Sequence, residues 1–183
     1  MTRHLLLMRH AKSDWNDSSL ADKDRPLNAR GRATAPIVAN WIVKHEHLPD
    51  LILCSGAIRT QQTLELIMQQ WTLLQAENPK LVLPRVLLDD RLYLASDTTI
   101  LSIAKDGANT QDACQCVMAL GHNPGMEVLA SKLSGKQVSM PTGALAVLAS
   151  ESNEEGWPED WGNDKMWNWR GLVKPRDLGS ETI

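Results

Sequence analysis

Cysteine is scarce in this chain and badly placed for cross-linking or metal. There are three: Cys54 inside an apolar run, and Cys114 and Cys116 in CQC, which is not the CxxC spacing of zinc or redox sites. An odd count with no leader-like segment fits a reducing compartment, and cytoplasm is the expected location. Long hydrophobic runs are also missing. LLLM at 5–8 is too short for a signal core, and nothing approaches the roughly 20 apolar residues of a membrane span. Surplus positive charge is absent as well: 19 Lys and Arg against 22 Asp and Glu give a net charge of −3. That balance argues against a nucleic-acid partner held by bulk charge. No repeat or low-complexity linker divides the 183 residues, so one domain over 1–183 with a real core is expected.

The charge that is present is unevenly spread. Residues 1–36 carry seven Lys and Arg against four Asp, whereas 151–164 carry six acids and no base. A locally basic segment in an acidic chain suits a small anionic site. Short apolar runs at 4–8, 51–54, 117–120 and 144–149 read as buried strands. Helical spacing falls between them: Ile37, Val38, Trp41 and Ile42 near 31–46, then Leu64, Ile67, Met68 and Trp71 near 57–74. A third helix is expected over 97–105, and a fourth starting at Pro124, a favoured first helical position. This alternation predicts an α/β fold with a mainly parallel central sheet flanked by helices. Ligands of such sheets collect at the carboxyl ends of the strands.

Three strand ends carry chemistry. RHAKSDWN follows the first strand, SGAIRTQQT the second, and GHNPGME the third. Arg9, His10, Arg59 and His122 therefore gather at one sheet edge, with a helix N-terminus behind His122. Cations at the end of a core strand are unfavourable unless something pairs with them, and a phosphoryl group would do so. Singly, each motif has a plainer reading: an Arg-His pair is often structural, Arg59 a solvated helix charge, GHNPG a turn before a helix. Their shared position favours a phosphate site containing a nucleophile. HEH at 45–47 does not qualify, because histidines two apart do not share a helix face.

LLLMRHAKSDWN, CSGAIRTQQT and LGHNPG together resemble the histidine phosphatase superfamily, the phosphoglycerate mutase-like group with an Arg-His pair after its first strand. RHAKS followed by DRPLNARG is similar to the small phosphohistidine phosphatases of the SixA type; larger members have glycine where this chain has Ala11. The resemblance implies that neutral His10 attacks phosphorus, giving a phosphohistidine intermediate that water hydrolyses. It implies that Arg9, Arg59 and a protonated His122 bind the phosphoryl oxygens, with Asn16 and Asn123 as further contacts and Lys12 adding to the local potential. No metal or cofactor is implied.

The general acid is the open position. The superfamily often supplies a glutamate ahead of an apolar-Tyr pair, and LLDDRLYLAS offers Asp90 there, a methylene shorter, beside Asp89. Two adjacent loop aspartates also read simply as solvated. An alkoxide leaving group needs protonation badly, its pKa being comparable to the roughly 15.7 of water. Imidazole, with a pKa near 6.5, does not. The favoured substrate is therefore phosphohistidine on a carrier or phosphotransfer protein. The alternatives are small phosphorylated metabolites at the same site, or a phosphate-binding module without catalysis. An irregular C-terminal segment at about 151–183 holds Trp157, Trp161, Trp167 and Trp169, as a clamp on the sheet or a protein-contact patch.

Overall fold

The computed structural model describes residues 2–110, 114–151, 157 and 159–178. Its elements run β1 (Thr2–Arg9), α1 (Ala29–Lys44), β2 (Leu51–Cys54), α2 (Ile58–Glu77), β3 (Arg85–Leu88), α3 (Asp97–Asn109), β4 (Cys116–Gly121), α4 (Gly125–Ser134), β5 (Leu145–Glu151), β6 (Asn168–Val173) and α5 (Pro175–Leu178). The six strands form one sheet in the order β3-β2-β4-β1-β5-β6. The pairs β2–β3, β2–β4 and β1–β4 are parallel, and β5 and β6 add to one side antiparallel. This is the expected α/β architecture with a mostly parallel sheet.

Buried strands with helices on both faces need apolar residues pointing both ways, so they appear as continuous runs. Leu5 and Leu7 of β1 pack with Leu51, Leu53, Val117 and Ala119 beneath α3 and α4. Leu6 and Met8 point the other way, to Ile52, Cys54, Met118 and Leu120 beneath α1 and α2. Helix starts are fixed locally: Asn28 accepts from the Gly31 N–H ahead of α1, and Ser96 from Thr99 ahead of α3. Pro124 stands one residue before α4, as its cap, and Gly125 is the first helical residue. No described helix is long and apolar enough to cross a membrane.

The C-terminal segment departs from its expected irregularity. Residues 168–173 form β6, which pairs with β5 across a register shift between Val147 and Leu148. Trp161 and Trp167 are buried in the core, Trp157 and Trp169 pack against it, and the Trp167 indole donates to the Trp161 carbonyl at 2.9 Å. The tryptophans thus close the α3/α4 face as a clamp. Residues 152–156, 158 and 179–183 of that segment lie outside those described.

Register brings the chemical motifs together. Arg9 of β1 lies level with Gly121 of β4, and Cys54 of β2 level with Leu120. One further residue along each strand are His10, His122 and Ser55, locked by His10 N–H to Gly121 O and Ser55 N–H to Leu120 O, both at 3.0 Å.

Candidate active site

Those strand ends floor a cavity of about 360 Å³ lined by Arg9, His10, Asp22, Arg59, His122 and Asn123 among others. A groove of about 410 Å³ between α1 and β6 is slightly larger, but it contains none of the strand-end motifs. There His45 stacks on Trp41, with ring centroids 4.1 Å apart.

His10 is 6% exposed. Its Nδ1 lies 2.7 Å from the Ala11 carbonyl, which can only accept, so Nδ1 carries the ring proton and Nε2 keeps its lone pair. Arg59 Nε donates to that Nε2 at 3.2 Å. Burial lowers the His10 pKa to about 4; the Ala11 bond opposes the shift, and Arg59 and Arg9 add to it. The imidazole is therefore neutral at pH 7 and presents an unprotonated nitrogen to the cavity.

His122 is read the same way. Arg59 Nη2 donates to its Nδ1 at 3.2 Å, leaving Nε2–H to donate to Ser55 Oγ at 2.8 Å. Burial, then His10 and Arg59, bring its pKa to about 3. Buried beside cations, the His122 ring is thus neutral in the free site, whereas the expected protonated form is that of the phosphoryl-bound site.

Arg59 sits at the second position of α2, within hydrogen-bond distance of both rings. Its guanidinium is aimed by Asp22, whose Oδ2 accepts from Arg59 Nη2 at 2.9 Å and from the Tyr93 hydroxyl at 2.7 Å. The Tyr93 bond first, and Arg59 after it, hold the Asp22 carboxyl below the usual carboxylate range. Arg9 donates through Nη1 to Met140 O at 2.9 Å, while its buried Nε has no partner. Two guanidinium groups and an unfilled buried donor suit a phosphoryl group, whose oxygens match the arginine fork.

Two expected site residues lie outside the cavity, and a third lines it with its amide hydrogens engaged. Asp90 points out of the cavity, its side chain 75% exposed and paired with Lys23 Nζ at 3.0 Å. Asn16 is exposed, three residues past the Ser13–Leu27 bridge, with its backbone N–H bonded to Asp14 Oδ1. Asn123 lines the cavity, but both of its amide hydrogens are engaged, by Glu127 Oε2 at 3.1 Å and Met140 O at 3.0 Å. It braces the loop ahead of β5. Asp22, Tyr93 and Ser55 were not singled out from sequence. Tyr93 had a signal, the Leu-Tyr pair after Asp90, whereas Asp22 lies in a loop with no periodicity.

The chain matches the model of the histidine phosphatase superfamily (branch 1) over residues 5–82. It is 33% identical to an uncharacterized chloroplastic protein of Arabidopsis thaliana over 189 residues, 96% of this chain and 79% of that one. Among solved structures it resembles a protein assigned as the phosphohistidine phosphatase SixA of Agrobacterium tumefaciens. The TM-score is 0.71 and identity 29%, covering 94% of this chain and 99% of that one. The fold is also that of the protein histidine phosphatase SixA complexed with tungstate, at TM-score 0.73 and 20% identity, covering 96% and 99%.

Proposed function

The chain belongs to the histidine phosphatase superfamily, and on that premise we propose that it is a metal-independent phosphohistidine phosphatase. It would act as one histidine phosphatase domain over residues 1–183, on a carrier or phosphotransfer protein. In the first step the His10 Nε2 lone pair forms a bond to phosphorus as the substrate's P–N bond breaks. A substrate imidazole already protonated on its other nitrogen departs neutral. The phosphorylated His10 ring is then cationic, and its Nδ1–H stays on the Ala11 carbonyl. Water next attacks phosphorus, its proton goes to phosphate or solvent, and the bonding pair returns to Nε2. Arg9 and Arg59 neutralise the equatorial oxygens, which is the main demand of phosphoryl transfer. An arriving phosphoryl dianion competes for the Arg59 donors and favours protonation of His122. The three cysteines are free and buried, in keeping with a reducing compartment such as cytoplasm.

One observation carries the choice of substrate. Among the described residues the only carboxylate lining the cavity is Asp22, and it is held ionised as an acceptor for Tyr93 and Arg59. A site whose carboxylate cannot donate a proton handles imidazole well and an alkoxide poorly. The SixA neighbours, one with a tungstate oxyanion, are consistent with this reading. The test is phosphate release from a phosphohistidine peptide, phosphoimidazole and glycerol phosphate. General-acid assistance is typically worth about 10²–10⁴-fold, so P–N substrates are expected to exceed the alkyl phosphate by at least that order in kcat/KM. Asp90→Asn is expected to change none of the three. A preference for glycerol phosphate would turn the reading to metabolites, and a selective loss on it in Asp90→Asn would restore Asp90 as an acid.

A further inference from the structure

We propose that a basic shelf beside the catalytic cavity docks the acidic surface of the histidine-phosphorylated protein; the proposal rests on the phosphohistidine reading above. Lys12, Arg30, Lys174 and Arg176 line a shallow depression that shares Lys12 and Thr142 with the cavity. Lys12 is two residues beyond His10, so the shelf begins at the mouth of the site.

The shelf is rigidly built from three parts of the chain. The first turn of α1 lies so close to the first strand's exit that a Cβ on Gly31 would stand 2.2 Å from Lys12 O. The Asn28 N–H also donates to Lys12 O at 3.0 Å. These contacts fix Arg30 beside Lys12. The loop ahead of β5 meets the β6–α5 junction at Gly143, whose φ of +79° suits glycine and where a Cβ would stand 2.9 Å from Pro175 Cγ. Pro175 is flanked by Lys174 and Arg176. Among the described residues Lys12, Arg30 and Lys174 enter no ion pair, and Arg176 has only its neighbour Asp177, at 3.4 Å. Four cations with one adjacent acid, in a chain of net charge −3, form a locally positive surface.

The cavity volume there is only about 20 Å³, far below the roughly 300–1,000 Å³ of small-molecule pockets. No metabolite fits inside it, so its complement lies across it as a surface. A histidine short enough to place its phosphoryl group on His10 brings its own protein's surface against this rim, where carboxylates would meet the cations. Rim charges of this kind act mainly on the encounter rate and its salt dependence.

The experiment compares two substrates of one enzyme. The first is an acidic phosphotransfer domain phosphorylated on histidine with phosphoramidate. The second is phosphoimidazole, which occupies the cavity alone. Electrostatic steering spans about 10–10³-fold. Arg30→Glu/Lys174→Glu/Arg176→Glu is therefore expected to cut kcat/KM on the domain at least tenfold at about 20 mM salt, a loss that fades near 0.5 M. Turnover of phosphoimidazole is expected to stay within about twofold, which also verifies folding and an intact site. Should the reversed variant fold poorly, the Gln variants at the same three positions are expected to show a smaller loss in the same direction. Recovery by a domain whose acids flanking the phosphohistidine are changed to lysine would support the docking directly. An unchanged rate on the domain at low salt would overturn the shelf while leaving the phosphatase reading intact. Failure of the wild type on phosphoimidazole would instead overturn the phosphatase reading.

Discussion

His10 and His122 are neutral where solvent would half-protonate them, and that difference is a stability statement. Their folded pKa values are lowered to about 4 and about 3 from 6.5. Between those values and 6.5 the unfolded chain binds more protons, so stability is complete above about 6.5 and is lost as pH falls. Each ring contributes a slope of about 1.4 kcal/mol per pH unit within its window. His10→Asn is expected to remove one such slope between pH 6 and 4, read from urea midpoints across pH. An unchanged slope would mean that His10 is not desolvated. The same rings show what the sequence conveys at this scale. Arg9, His10, Arg59 and His122 were legible because each stands at a short offset from the end of an apolar strand. The neutral state of His10 was expected too, but that of His122 was not, because it depends on burial among cations from three separate segments. Asp22 was invisible for a related reason: it meets Arg59 across 37 positions and Tyr93 across 71, from a loop without a pattern.

Strands buried on both faces declare themselves as apolar runs, and β1, β2, β4 and β5 did so. β3 sits at the sheet edge with only partly covered residues, so RVLL lacks the continuous burial that marks a central strand. β6 mixes Asn, Trp, Arg and Gly and pairs through an irregular register, which hides it in a segment rich in turns. Helix α1 was legible from its apolar face, yet its entry depends on a contact no periodicity reveals. Helix propensity alone favours alanine over Gly31 by about 1 kcal/mol. The 2.2 Å approach of its would-be Cβ to the Lys12 carbonyl reverses that preference, because the obstacle is backbone. Gly31→Ala is expected to destabilise by about 1–3 kcal/mol, the usual cost of overpacking. The loss should appear as a lower urea midpoint and, since Lys12 follows His10 closely, as reduced turnover. A raised midpoint would show that α1 can draw back from the strand exit.

Over the whole molecule, topology decides how charge is used. Adding β5 and β6 antiparallel to the parallel strands returns the chain to the catalytic end of the sheet. There Lys174 and Arg176 join Lys12 and Arg30, although 162 residues separate Lys12 from Lys174 in the chain. A chain of net charge −3 thus sets Arg9, Lys12, Arg59, Arg30, Lys174 and Arg176 around one cavity and beside it. Inside the cavity the charge opposing phosphate comes from Arg9 and Arg59, fixed by Met140 O and by Asp22. Guanidinium groups stay charged at any working pH and need no metal to neutralise developing negative charge. Magnesium sites in phosphoryl transfer draw on carboxylates, and Asp22, the one carboxylate that the described residues bring to this cavity, is engaged by Arg59 and Tyr93. Among the described residues no three His, Cys, Asp or Glu side chains gather closely enough to hold a metal ion. Chelation with EDTA is therefore expected to leave kcat/KM on phosphoimidazole within about twofold, because the arginines alone supply the electrostatic stabilisation. Loss of activity with EDTA, restored by added Mg²⁺, would show that the two arginines do not suffice and that a cation shares the phosphoryl oxygens.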